Sequence, residues 1–268
     1  LTTINVSSFN TSNVTNMSEM FHMCEKLENL DISNFDTSKV TNMRDMFNDC
    51  SSLTNLDLSN FNTSNVTTMY GMFFSCQKLT NLNINSFNTS KVTDMNNMFS
   101  YCTVLQSLDL SHFDTSKVTD MSKMFNGCYK LTTLNISSFN TTNVTNMSQM
   151  FEGCLVITTL DLSHFDTSKV TNMSRMFYCC YALTSLNLNS FDTTNVTDMS
   201  WMFYLCKVVQ TQINIKNPNL SNYESMLSSA AIGTNSYIII GYTSATQTLA
   251  ETIKSNYSSN TRITLQQI

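Results

Sequence analysis

Cys24, Cys50, Cys76, Cys102, Cys128, Cys154, Cys180 and Cys206 stand 26 residues apart, each closing a phrase of the form Val-Thr-Asn-Met-x-x-Met-Phe-x-x-Cys or a close variant. A register held this strictly admits few folds. One coil carries about nine apolar side chains and cannot enclose them, so neighbouring coils must supply the rest of the core. The chain therefore reads as a solenoid, with eight 26-residue repeats over residues 1–206, a degenerate ninth over 207–232 and a C-terminal cap over 233–268.

Two apolar periods alternate within each repeat. Leu30-Asp31-Ile32 alternates apolar, polar, apolar, which predicts a short strand with one buried face. From Met43 the apolar residues Met43, Met46, Phe47 and Cys50 fall at i, i+3, i+4 and i+7, which predicts a two-turn helix. The residue before the first Met is Asn16, Asn42, Thr68, Asp94, Asp120, Asn146, Asn172 or Asp198, each able to accept an orphan N–H at a helix start. The expected fold class is an α/β solenoid, leucine-rich-repeat-like, with a parallel strand face, short helices on the other face and a strand–helix–strand C-terminal cap. Parallel strands about 4.8 Å apart would make eight coils roughly 40 Å long. In the tail, Tyr237-Ile238-Ile239-Ile240, Thr246 to Lys254 and Arg262 to Leu265 read as the strand, helix and strand of the cap, covering an otherwise open edge. The chain begins inside a strand, so that edge awaits either a preceding segment or another molecule.

Composition narrows the function. Charged residues are 12% and the net charge is −5, which argues against a nucleic-acid reader. One Pro and five Gly leave the turns to Asn, Asp, Ser and Thr, and could hardly build a phosphate loop. No apolar run approaches the roughly 18 residues of a membrane span. The first residue is not Met and no leader is read there, so any anchor would lie outside these residues.

Eight of the nine cysteines share one slot and read as a buried ladder, close enough in principle to bridge in an oxidising compartment. Cys179, outside the register, is the thiol expected to be exposed. His22, His112 and His164 read as surface groups with no nucleophile recurring opposite them. The slot of Asn5, Asp31, Asp57, Asn83, Asp109, Asn135, Asp161 and Asn187 could hold calcium or bond along the stack. Lys39, Lys91, Lys117 and Lys169 share a turn slot, and in three of the four cases an Asp three residues earlier suggests an exposed ion pair. No catalytic, metal-binding or cofactor-binding residues are assigned, and a non-enzyme is expected.

The variable slots carry what remains. Tyr129, Leu155, Tyr178, Tyr181, Trp201, Tyr204 and Leu205 concentrate apolar and aromatic groups in the later coils, where early coils hold Asn48, Asp49, Ser51 and Ser75. Such a patch suits a protein partner, unless the end piece folds back over it.

The consensus Leu-Thr-x-Leu-Asp-Leu-Ser-x-Phe-Asp-Thr-Ser-x-Val-Thr-Asn-Met-Ser-x-Met-Phe-x-x-Cys resembles the repeat of BspA-like leucine-rich-repeat surface proteins. It is closest to the variant abundant in mycoplasma lipoproteins and gut Firmicutes. The resemblance covers residues 1 to about 206 and implies a bacterial extracellular or cell-surface solenoid, non-enzymatic, active in adhesion or protein binding. Two other classes stay open: a structural spacer projecting another domain, and an ice- or crystal-binding rod using its Thr ranks.

Overall fold

A computed structural model describes residues 1–268 and shows a parallel β-solenoid of about eight turns. The strands are short: β1 (Asn55–Asp57), β2 (Asn81–Asn83), β3 (Ser107–Asp109), β4 (Thr133–Asn135), β5 (Thr159–Leu160) and β6 (Ser185–Leu186). They pair in parallel with the predicted offset, Leu56 against Leu82, Leu108 against Leu134 and Leu160 against Leu186. A second parallel ladder runs down another side through single bridges, Asn16–Asn42–Thr68–Asp94–Asp120–Asn146–Asn172–Asp198–Asn222.

The predicted short helices do not form. Each Met-x-x-Met-Phe-x-x-Cys segment is a run of tight turns in which every fourth residue takes the left-handed conformation, for example Asp45 (φ 52°) and Asp49 (φ 57°), or Lys123 (φ 59°) and Gly127 (φ 71°). Within the segment alternate N–H groups close turns, as Met46 to Met43 and Asn48 to Asp45. The others donate to the next coil, as Asp45 to Tyr70, Phe47 to Met72 and Asp49 to Phe74.

The reason is spacing. Packed helices need 8–10 Å between axes, whereas the strand side advances by only about 4.8 Å per coil. A helix also satisfies its N–H groups internally and offers none to the coil above. Turns keep both sides at backbone hydrogen-bonding distance, and the core confirms this. The ladder Phe47–Phe73–Phe99–Phe125–Phe151–Phe177–Phe203, seated on this wall, keeps ring centroids 5.5–6.0 Å apart with planes within 14° of parallel. A turn repeat of four residues buries i, i+3, i+4 and i+7 much as a helix of 3.6 does, so the apolar pattern alone could not separate them.

The helix-cap slot nevertheless makes its bond. The N–H two residues on donates to the side-chain oxygen of Asn42 (2.9 Å), Asp120 (2.8 Å) and Asp198 (2.8 Å), forming Asx turns that open the wall. All nine cysteines are free. From Cys50 to Cys206 each ladder thiol donates to a Phe carbonyl of the preceding coil at 2.9–3.4 Å. Burial pushes Cys50 and Cys128 up to about 12. Cys179 is half-exposed as expected, but so is Cys24, in the first coil.

The tail continues the stack. β7 (Gln210–Ile215), β8 (Tyr237–Tyr242) and β9 (Ile263–Gln267) extend the sheet in the order β5-β6-β7-β8-β9. The helix α1 (Gln247–Ser255) buries Ala250 and Ile253 against them. Met226, Leu227 and Ala230 occupy the Met, Phe and Cys places of the ninth coil and are buried.

Candidate partner-binding groove

The wall of stacked turns presents the variable side chains outward, and its later coils form an open groove of about 320 Å³. Tyr101, Tyr129, Tyr178, Tyr181 and Leu155 line it, with Asn126, Gly127, Glu152, Gly153 and Cys179. Tyr129 is 38% and Tyr181 40% exposed, while Leu155, Tyr178, Trp201, Tyr204 and Leu205 are half-buried. Four of the seven residues singled out in the sequence thus share the groove: Tyr129, Leu155, Tyr178 and Tyr181. Trp201 and Tyr204 stand beside it, with Tyr178 stacked on Tyr204 (4.8 Å) and Trp201 tilted against both. Leu205 lies outside it. The end piece does not fold back over this surface. Its side-chain contacts go to the ninth coil, from Tyr257 to the Leu227 N–H and from Asn260 to the Ala230 carbonyl.

Five groups that slot comparison missed complete the groove: Tyr101, Asn126, Gly127, Glu152 and Gly153. Tyr101 meets Tyr129 edge-on at 6.4 Å, although the two occupy different slots of the repeat. Gly127 and Gly153 sit at a left-handed position that Asp49, Ser75, Tyr101 and Leu205 occupy elsewhere, so the turn alone does not demand glycine. Space demands it at Gly127, where an added Cβ would fall 2.7 Å from the Tyr101 ring. Glu152 is the one charged group in the lining. One of its oxygens, Oε2, is buried without a hydrogen-bond partner, and the Arg175 Nη1 is 3.9 Å from the other. Desolvation raises the Glu152 carboxyl above its ordinary range, against the opposing pull of Arg175 and Lys123. Arg175 also lies over the rings of Tyr178 (5.3 Å) and Trp201 (5.7 Å), and Lys207 over Tyr181 (5.4 Å). Tyr181 is itself pushed up to about 12, first by its hydrogen bond with Cys179 and then by burial.

Other candidates resolve into scaffold roles. His112 and His164 set Nε2 at 3.1 Å from the carbonyls of Ile84 and Ile136, in a slot where Asn34, Ser86 and Ser190 donate to the equivalent carbonyls. The slot requires a donor, which assigns the proton to Nε2 in both rings. Both remain exposed, as expected of surface groups, and also clip adjacent coils together. In the Asn5 slot, Asp31, Asp57, Asp109 and Asp161 each accept the N–H of the Ser two residues on at 3.0 Å. Asn83 also donates along the stack to Asp57 (2.9 Å). Lys39 and Lys169 do not pair with Asp36 and Asp166 three residues earlier: like Lys91, which follows Asn88 instead, they donate at 2.7 Å to an Asn in the coil before, Lys39 to Asn13, Lys91 to Asn65 and Lys169 to Asn143. An amide one coil away is presented directly at Nζ, whereas the nearby Asp is occupied by its own turn.

No helix is long and apolar enough to cross a membrane. Neither a curated protein nor a solved structure matches the sequence. A family model described as a Mycoplasma protein of unknown function, DUF285, matches residues 1–108, 74–159 and 127–237, in overlapping stretches that follow the repeats. These matches span all eight repeats and the ninth coil, and the chain belongs to that family.

Proposed function

We propose that this chain is a non-enzymatic binding module of a secreted or surface-attached bacterial protein, one that recognises a protein on a host or neighbouring cell. The observation that supports the reading most is the groove from Tyr101 to Tyr181, with Trp201 and Tyr204 beside it, uncovered by the C-terminal cap. The repeat's invariant letters are consumed by the scaffold, since Met, Phe and Cys pack inside, Thr joins coils, and Asx residues close turns. An aromatic concentration with no scaffold role is where binding energy collects. The resemblance to BspA-like surface proteins agrees with this reading and with an extracellular setting. The ice-binding alternative loses ground, because the exposed Thr row spends its hydroxyls along the stack, as Thr41 to the Thr15 carbonyl (3.2 Å) and Thr67 to the Thr41 carbonyl (3.1 Å).

The test is retention of the chain on immobilised matrix and mucin proteins. Wild type should be retained by at least one, and joint Trp201→Ala and Tyr204→Ser should abolish retention while leaving thermal unfolding intact. Equal retention of a folded double variant would remove the aromatic face as the binding surface.

A further inference from the structure

The groove has a chemical preference of its own. Its walls are phenol rings, with Tyr101 seated against Gly127 and Tyr129 against Gly153, and its lining holds one charge, the Glu152 carboxylate. That carboxylate is incompletely served. Arg175 is too far for a hydrogen bond, and Oε2 has no partner. The protein's own cations show how the ring faces are used, with the Arg175 guanidinium over Tyr178 and Trp201, and Lys207 over Tyr181. The rings of Tyr101 and Tyr129, 39% and 38% exposed, have no such cation over them. An aromatic face attracts a cation through its quadrupole, and a desolvated carboxylate strengthens that attraction.

We propose that the groove takes an arginine side chain from an extended segment of the protein partner, its guanidinium against Tyr101 and Tyr129 and its N–H donors turned to Glu152. A planar guanidinium offers donors to a carboxylate and a flat face to a ring at the same time, which an ammonium does not. The open, elongated groove spans coils from Tyr101 to Tyr181, so the segment on either side of the arginine remains on the surface. Arg175 keeps its contacts with the Tyr178 and Trp201 rings, and its 3.9 Å ion pair leaves Glu152 free to accept hydrogen bonds. This assignment rests on the protein-binding reading above and specifies the partner's chemistry.

The test uses the full chain, isotope-labelled, titrated with acetyl-Gly-Arg-Gly-amide, its citrulline counterpart and, separately, lactose. The arginine peptide should shift the amide signals of Gly127 and Gly153 saturably and bind about tenfold more tightly than the citrulline peptide. Glu152→Gln should cut that difference to about threefold or less, the part the rings supply, while the remaining amide signals keep their positions. Equal binding of the two peptides, no shift with either, or shifts with lactose alone would each overturn the assignment. Retention on matrix and mucin proteins distinguishes the two levels. Retention lost in the Trp201/Tyr204 variant alongside indifference to arginine would leave the face as a binding surface and remove only its cation preference.

Discussion

The Thr37 hydroxyl holds both backbone groups of Asn62 in the next coil, donating to its carbonyl at 3.1 Å and accepting its N–H at 2.8 Å. Thr63 does the same to Asn88, Thr115 to Asn140, Thr141 to Asp166 and Thr167 to Asp192. These threonines are buried, so the corner where the chain leaves the strand is stitched by one hydroxyl per coil. Thr115→Val keeps the shape and removes both bonds. It should cost about 1–3 kcal/mol in urea unfolding and speed exchange of the Asn140 amide. Thr119→Val, in the exposed row, should stay within about 0.5 kcal/mol of wild type.

The turn wall makes a prediction opposite to that of a helix. Lys123 is held at φ 59°, a conformation costing a side-chain-bearing residue about 1–2 kcal/mol that glycine avoids. Lys123→Gly should therefore be more stable than Lys123→Ala by about 1 kcal/mol. In a helical segment the order reverses by a similar amount. Thermal unfolding of the two variants, alike in lost charge, reads the difference directly.

The strand register, the cysteine ladder and the cap elements were legible because each has a distinct local signature. Leu-Asx-Leu alternates, the cysteines repeat, and Tyr237 to Ile240 is an apolar run. The wall was not, because a four-residue turn repeat buries the same positions as a helix, and its left-handed slots hold residues as unlike as Trp201, Lys123 and Glu19. Half of the groove was legible for a related reason. Comparing equivalent slots found Tyr129 and Tyr181, but Tyr101 reaches Tyr129 from a slot 28 residues away, and Glu152 looks like any surface acid until its desolvation is seen.

Thiol reactivity should divide the cysteines in two. Cys24 and Cys179 are half-exposed, while the seven from Cys50 to Cys206 in the ladder are buried and raised by desolvation. At pH 8 iodoacetamide should modify two sites in the folded chain and all nine in urea, as read by intact mass. Rapid labelling of Cys102 or Cys128 without denaturant would contradict the stacked core.

Acid should loosen the turns. Asp31, Asp57, Asp109 and Asp161 are held below the ordinary 3.8 by hydrogen bonds from Ser33, Ser59, Ser111 and Ser163. A lowered folded value means stability present above pH 3.8 and lost as pH falls through the folded values. Glu152, raised by desolvation, has the opposite sign, its contribution fading as pH rises above the ordinary 4.5. The melting temperature should fall steeply below about pH 4, and Asp57→Asn with Asp109→Asn should flatten that fall. Asn serves the same turn at Asn5 and Asn187, where Oδ1 accepts the N–H two residues on at 3.0 Å.

The central claim is that scaffold and binding surface are separate, with the invariant letters building the solenoid and the turn wall near Glu152 meeting the partner. Amide hydrogen exchange of the full chain, free and bound to a retained matrix or mucin protein, tests it most directly. Protection on binding should concentrate at Gly127, Tyr129, Gly153 and Tyr181, with the strand face at Asn55–Asp57, Asn81–Asn83 and Ser107–Asp109 unchanged. Protection confined to that strand face, or absence of a retained partner, would contradict the account.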